Sequence, residues 1–231
     1  SFLEQRFGVW SAMGGTGSVV KGMTGLIEGL AGKIECNAEV EEILVDQGAV
    51  RGVRLADGRT LHSDLVVSNA DAAWTYRHLI KAEHRKRWTD RKIDRSHFSN
   101  GLFVWYFGTE GKYPDVPHHS VILGPRYKGL LDDIFKRKVL ADDFSLYLHR
   151  PTETDPSLAP EGCDTFYALA PVPHLDAAVD WPTYAEIFKE RICQRLEETM
   201  LPGLRERIVT SRLLTPQDFR DRLNSVKGAA F

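Results

Sequence analysis

The sequence predicts an α+β protein whose first part has α/β character, and three observations carry that reading. Val19, Val20, Met23, Leu26, Ile27 and Leu30 recur at three- and four-residue steps, which is one apolar helix face from about Thr16 to Ala31. The Asp57-Gly58 pair joins AVRGVRLA to RTLHS, a signal for a tight hairpin. Beyond residue 72, strands rich in aromatic residues alternate with amphipathic helices, the pattern of a mixed sheet with helical cover.

The elements follow in order. Gly32 is placed to end the first helix, because glycine accepts the left-handed cap conformation. The Val- and Ile-rich segments KIEC, EVEEILVD and AVRGVRLAD then predict a small antiparallel meander. DLVVSN is a short apolar run of the kind found in buried parallel strands. A boundary near Ala72 divides the chain into residues 1–71 and 72–231. Residues 72–95 read as helical and highly charged. SNGLFVWYFG, FSLYLHRP and TFYALAPVPHL read as strands. GPRYKGLLDDIFKR and WPTYAEIFKERICQRLEETM read as helices. The second carries Tyr184, Ile187, Phe188, Ile192, Leu196 and Met200 along one stripe, with Pro182 in its first turn.

Composition narrows the function classes. The 231 residues are 42% hydrophobic and 27% charged, an ordinary globular balance with ample core. A net charge of -2 supplies no overall basic field, so general nucleic-acid binding is excluded from the expectations. Cys36, Cys163 and Cys193 are far apart and odd in number, which gives neither a disulfide framework nor a metal-ligand spacing. His118 and His119 are adjacent and project differently, a weak metal pair, so no metal is expected. No apolar run approaches the ~20 residues that span a bilayer.

The glycines of MGGTGSVVKGMTGL, ahead of the first helix, pose the question of a phosphate cradle. A dinucleotide fingerprint requires a strand, GxGxxG, a helix, and a second strand ending in Asp or Glu. Here GGTGSV lacks the third glycine, GVWSAM is a weak strand, and KIEC ends in no acidic residue. Taken alone, the motif is a turn and helix cap supplied by Gly15 and Thr16, not a nucleotide site.

The phrases GGTGSVVKGM, NAEVEEI, VRLADGRT, DLVVSNAD, LFVWYFG, GPRY, DDIF, DFSLYLHRPTETDPSLAPEGC, YALAPVPHL, MLPGL, TPQDFRDRLN and KGAAF occur in one fixed order. That series resembles the bacterial and fungal type of phytoene desaturase, an FAD-dependent carotenoid desaturase, over essentially the whole chain. The resemblance implies part of a Rossmann-like FAD-binding domain (helix, meander, buried strand) over 1–71. It implies a substrate-binding, membrane-facing domain over 72–231. Members of that family begin with a strand and GxGxxG and end with a segment of the form GxHPGxGxPG. Neither occurs here, so the chain is expected to be a central fragment, inactive alone and unable to retain FAD.

The resemblance further implies FAD as the cofactor of the intact enzyme and phytoene or a related polyene as the substrate. It implies peripheral attachment on the cytoplasmic side of a membrane. Val40, on the strand matching EVEEI, and Asn69, at the end of DLVVSNAD, are the implied cofactor contacts. An apolar tunnel is expected to be lined by Phe103, Trp105, Phe107, Phe144 and Tyr167, with core packing as the competing role of each. His149 and His174, at two strand ends, and Arg150, Asp155 and Glu161, in a proline-rich loop, have no assigned catalytic role.

Residues 77–95 hold eight Lys or Arg against three Asp or Glu, so Arg85, Lys86 and Arg87 are expected on a membrane-facing surface, or on a merely solvated one. Two other functions stay open. One is a carotenoid isomerase, or a desaturase of another polyene; the other is a non-catalytic isoprenoid-binding protein of similar fold.

Overall fold

The computed structural model describes residues 2–230, and its elements form two antiparallel sheets with helices. Helix α1 spans Phe2–Phe7 and α2 spans Thr16–Gly29. Strands β1 (Val40–Asp46), β2 (Ala49–Leu55) and β3 (Thr60–His62) make the expected meander, in the order β1-β2-β3. The Asp57-Gly58 turn lies between β2 and β3, with Gly58 at φ 88° and its amide donating to the Leu55 carbonyl at 3.0 Å. Gly52 sits where the β1–β2 register shifts. Its φ is 132°, and a Cβ there would stand 2.0 Å from the Leu61 carbonyl oxygen, so no other residue fits.

Three expectations for this region are corrected. KIEC, read as the first segment of the meander, forms no strand. DLVVSN forms no strand: Leu65 and Val67 are 74% and 84% exposed, and no neighbouring strand meets their backbone. A buried strand depends on its flanking ladders, and none of the described strands pairs with this segment. The end of α2 falls earlier than Gly32. Ala31 takes the left-handed conformation (φ 61°), and Gly32 instead donates to the Ile27 carbonyl at 2.8 Å. The apolar stripe of α2 does form, but none of its residues is buried.

The span 72–95 is broken rather than one helix. It consists of α3 (Ala72–Trp74) running into a π-helical turn (Thr75–Leu79), then a 3-10 turn and α4 (Asp90–Asp94). Asp71 caps α3 and Thr89 caps α4, each accepting a backbone N–H.

The second sheet has five strands in the order β5-β6-β7-β4-β8. They are β4 (Gly101–Glu110), β5 (His119–Ile122), β6 (Leu146–His149), β7 (Cys163–Val172) and β8 (Ile208–Leu214). The α+β class holds, and every ladder of this sheet is antiparallel. Helices α5 (Tyr127–Asp132), α6 (Trp181–Thr199), α7 (Leu204–Arg207) and α8 (Pro216–Leu223) complete the chain. Thr215 and Asp218 form a reciprocal capping box at α8, with Pro216 in the first turn.

The core lies between this sheet and α6. On β7 the alternation is clean: Asp164, Phe166, Ala168, Ala170 and Val172 are buried, and the residues between them are half-buried. Phe103 meets Phe188 of α6 edge-on at 5.0 Å and stacks on Trp181 at 5.8 Å. Phe144 meets Phe188 edge-on at 4.9 Å. Each such ring contributes roughly 1.5–3 kcal/mol by burial, and each pair about 0.5–1.5 kcal/mol more.

At the far end of β7, His174 leaves the sheet beside Asp176, whose carboxylate accepts from Lys138 (3.1 Å) and Lys227 (2.7 Å). The Asp176 amide donates to His174 Nδ1 at 3.2 Å, so that nitrogen is unprotonated. Burial lowers the His174 pKa, Asp176 opposes the shift, and the two lysines reinforce it. A histidine held below its unfolded value binds fewer protons when folded. Stability from this group is therefore complete above about pH 6.5 and is expected to decline as the pH falls below it. Denaturant melts at stepped pH should show that decline, and His174→Asn should flatten it; an equal slope in the variant would assign it elsewhere.

Candidate functional site

A groove of about 720 Å3 opens on the face of the large sheet opposite α6. Its floor is the second set of β4 side chains, Leu102, Val104 and Tyr106, beside Tyr147 of β6 and Tyr167 and Leu169 of β7. The opposite wall comes from the start of the chain: Val9 and Trp10, then Gly15, Thr16 and Val19 at the head of α2. Phe219 of α8 and Leu158 of the loop before β7 also line it. The three tyrosines form a continuous aromatic strip, with ring centres 5.6 Å (Tyr106–Tyr167) and 5.7 Å (Tyr147–Tyr167) apart. Burial pushes the Tyr106 and Tyr167 phenols up, and a hydrogen bond with Tyr147 adds to the Tyr167 shift. These hydroxyls stay neutral, and the groove presents rings rather than charges.

The glycine turn closes the groove onto the sheet. Gly14 and Gly15 both have positive φ (80° and 74°), and the Gly14 amide donates to Asp155 Oδ2 at 2.5 Å. Asp155 is buried, and its other oxygen accepts from the Ser157 hydroxyl at 2.6 Å and the Ser157 amide at 3.1 Å. The Ser157 hydroxyl and then the Gly14 amide hold its carboxyl below the usual range. An anion does sit at this glycine-rich turn, but it is a carboxylate of the same chain rather than a phosphate.

The loop that carries Asp155 rests on a buried ion pair. Arg150 Nε donates to Asp164 Oδ2 at 3.0 Å, and both side chains are almost fully enclosed. Asp164 also accepts from the Tyr113 amide (2.8 Å) and the Thr152 hydroxyl (2.8 Å). Arg150 reaches the Val116 carbonyl (2.7 Å) and Glu153 (2.6 Å) as well. Arg150 Nε and Nη1 and both Asp164 oxygens are thus hydrogen-bonded, the condition under which a buried ion pair persists.

Three histidines edge the groove: His118, His119 and His149. His118 Nε2 lies 2.6 Å from His149 Nε2. Burial lowers the His149 pKa to about 4, with the neighbouring imidazoles adding to the shift, and burial likewise lowers that of His118.

The structure sorts the residues expected from sequence. Phe103, Trp105 and Phe107 do not face the groove. They are 0%, 1% and 2% exposed in the core beneath α6, and the lining face of β4 is the other triplet. Phe144 is likewise a core residue, while Tyr167 stands on the groove floor. Val40 opens β1, half-buried and paired across to Leu55, and Asn69 is exposed. Arg85 is not a surface charge: its guanidinium is buried and bonded to Asp90 at 2.6 Å. Lys86 and Arg87 are exposed. Arg150 and Asp155 serve as struts, Glu161 is exposed, and His174 lies outside the groove. Sequence reasoning missed Trp10, Val9 and Phe219, which reach the groove only through tertiary packing.

Comparison with known proteins agrees with this architecture. The family description "flavin containing amine oxidoreductase" matches residues 2–212. A Cereibacter sphaeroides protein named phytoene desaturase (neurosporene-forming) is 52% identical over all of this chain and 45% of its own length. A lycopene-forming phytoene desaturase of Pseudescherichia vulneris is 49% identical over 99% of this chain and 47% of its own. The chain thus spans about half the length of the curated relatives it matches. An oxidoreductase from Methanosarcina mazei has a similar fold, with a TM-score of 0.63 at 21% identity over 88% of this chain and 43% of that one.

Proposed function

The chain belongs to the flavin-containing amine oxidoreductase family, and from that premise we propose that it is the central part of an FAD-dependent carotenoid desaturase acting on phytoene or a close polyene. The groove carries this reading: a cleft of about 720 Å3 without a carboxylate, lysine or arginine in its lining, floored by Leu102, Val104, Leu169 and an aromatic strip, suits an apolar chain. A bound flavin would supply the hydride acceptor for the desaturation, in which one carbon of the polyene gives up hydride and its neighbour a proton. The residues of this chain hold the polyene flat against Tyr106, Tyr147 and Tyr167, with Phe219 and the exposed Trp10 edging the groove.

The fit to the cofactor is partial. Val40 offers strand-end backbone and Asn69 an exposed carboxamide, groups suited to the polar edges of an adenine or ribose. Neither is a phosphate cradle, and the glycine turn already holds Asp155.

The complete protein, expressed in cells that accumulate phytoene, should convert it to more conjugated, coloured products in a flavin-dependent way. Unchanged phytoene with flavin bound would favour a non-catalytic isoprenoid carrier. The 231-residue chain by itself, mixed with excess FAD and passed through gel filtration, is expected to emerge without a flavin absorption band. A stoichiometric band would overturn that expectation.

Attachment to a membrane surface belongs to the same proposal, since the substrate class resides in the bilayer. No helix among the described residues is long and apolar enough to cross one. Lys86 and Arg87 are exposed beside Trp88, whose ring Lys92 covers at 4.3 Å. Each basic residue near an anionic surface contributes about 1 kcal/mol. Lys86→Glu with Arg87→Glu should therefore weaken binding to anionic vesicles by about tenfold or more, while Arg85→Glu should unfold the segment. Co-sedimentation unchanged by the double variant and by salt would leave these residues merely solvated.

A further inference from the structure

The antiparallel register of β5 and β6 sets His119 opposite His149, and the Arg150 amide extends the ladder by donating to the His118 carbonyl at 2.9 Å. Two adjacent imidazoles and a third from a distant strand thereby meet at the rim of the groove, a ring nitrogen of each within 4.8 Å of the other two. The His118 and His149 rings stack with planes 19° apart and centroids 4.6 Å apart, which brings their Nε2 atoms within 2.6 Å.

The remaining nitrogens are informative. His118 Nδ1 is bonded to the Thr154 hydroxyl and His119 Nδ1 to the Tyr147 hydroxyl, each at 2.5 Å. An outer oxygen on one ring nitrogen, fixing the tautomer and turning the other nitrogen inward, is the arrangement that supports histidine ligands around a metal. Without an ion, one Nε2 must donate to the other, and the buried His149 Nδ1 has no partner at all. The rings also stack on one another, with centroids 4.3 Å (His118–His119) and 5.2 Å (His119–His149) apart, so packing gathers them while a single buried nitrogen is left unsatisfied.

We propose that His118, His119 and His149 form a binding site for a borderline divalent transition metal, Zn2+ being the best match, with a fourth position open to water. Zn–N bonds of about 2.0–2.1 Å put tetrahedral donors roughly 3.4 Å apart, so binding an ion parts the two Nε2 atoms now 2.6 Å apart and turns the stacked rings to converge on it. An all-nitrogen set selects Zn2+, Co2+, Ni2+ or Cu2+ over Ca2+ and Mg2+, which require oxygen ligands. The ion would pin the end of β6 to the turn before β5 and so fix one rim of the groove.

The test uses the complete protein, free of any affinity tag and stripped with a chelator, titrated calorimetrically with Zn2+ and with Mg2+ and optically with Co2+. One Zn2+ per chain, no Mg2+ binding, and the strong visible bands of tetrahedral cobalt are the expected results. His119 is exposed, so His119→Gln leaves the fold intact and should cost at least about tenfold in Zn2+ affinity. Thr154→Val, which removes only an outer hydroxyl, should cost about 10–100-fold with an unchanged near-ultraviolet dichroism spectrum. The proposal fails if Zn2+ binding is not saturable at one per chain. It also fails if cobalt shows only the weak bands of a hydrated octahedral ion, or if His119→Gln binds Zn2+ as tightly as the parent.

Discussion

Asp164→Ala is expected to destabilise the protein by about 3–5 kcal/mol, because it strands the buried guanidinium of Arg150. The aspartate is 1% exposed and accepts three hydrogen bonds, from Tyr113, Arg150 and Thr152. Removing it leaves a backbone amide, a hydroxyl and a charge without their acceptor in a water-excluded place. Glu153 remains on Arg150 but is 45% exposed, so it compensates only weakly. For a domain of this size the loss corresponds to roughly 6–20 °C in melting temperature. Arg150→Met alone should cost a similar amount, and the double variant much less than the sum of the two, since neither partner is then left charged and alone. Denaturant melts of the four proteins close the cycle. A loss below about 1 kcal/mol for Asp164→Ala would mean that water reaches Arg150. The same network supports Thr152 and the loop leading to Asp155, so the glycine turn should loosen with it.

Trp105→Ala and Tyr106→Ala, neighbours on β4, should separate stability from substrate handling. Trp105 is enclosed between Phe107 (centroids 4.2 Å) and the strand beside it, with its indole nitrogen donating to Ser211 at 2.8 Å. Its truncation opens a cavity and should cost about 3–5 kcal/mol. Tyr106 is 42% exposed on the groove floor, and its truncation should cost well under half as much. In the complete protein Tyr106→Ala should retain flavin yet shift the distribution of desaturated products or raise the substrate requirement. Chromatographic product analysis beside a melting curve for each variant decides the matter. The reverse pattern, with Trp105→Ala altering products at an unchanged melting temperature, would put the substrate on the other face of the sheet.

That pair of residues shows where the sequence was legible and where it was not. Period and punctuation identify elements: the stripe of α2, the Asp57-Gly58 turn, and α6 with Phe188, Ile192 and Leu196 all appear where expected. Which face of a strand looks inward is a different matter when both are apolar. LFVWYF offers Phe103, Trp105 and Phe107 on one side and Leu102, Val104 and Tyr106 on the other. Alternation separates the two sets without ranking them. One signal was available: Tyr106 alone among the six carries a hydroxyl, which favours a wet face. DLVVSN failed for a related reason, since burial of a short apolar run is a property of its neighbours. The groove could not be read at all from spacing, because Trp10, Tyr106, Tyr167 and Phe219 share it only after the chain has folded.

The strand order has a consequence for how the chain is made. β4 lies between β7 and β8, so both edges of LFVWYF stay unpaired until residues 163–172 and 208–214 have been synthesised. At about 5–20 residues per second this strand waits for several seconds as it leaves the ribosome. Throughout that interval a ten-residue stretch with high β-propensity and a single terminal charge offers free amides and carbonyls to any other nascent chain. Distant partners also make the search for the native pairing slow. Yield in a foreign host should therefore depend on translation speed and chaperone supply more than on the final stability of the fold, and slower induction at lower temperature should recover soluble protein that faster synthesis loses to aggregates.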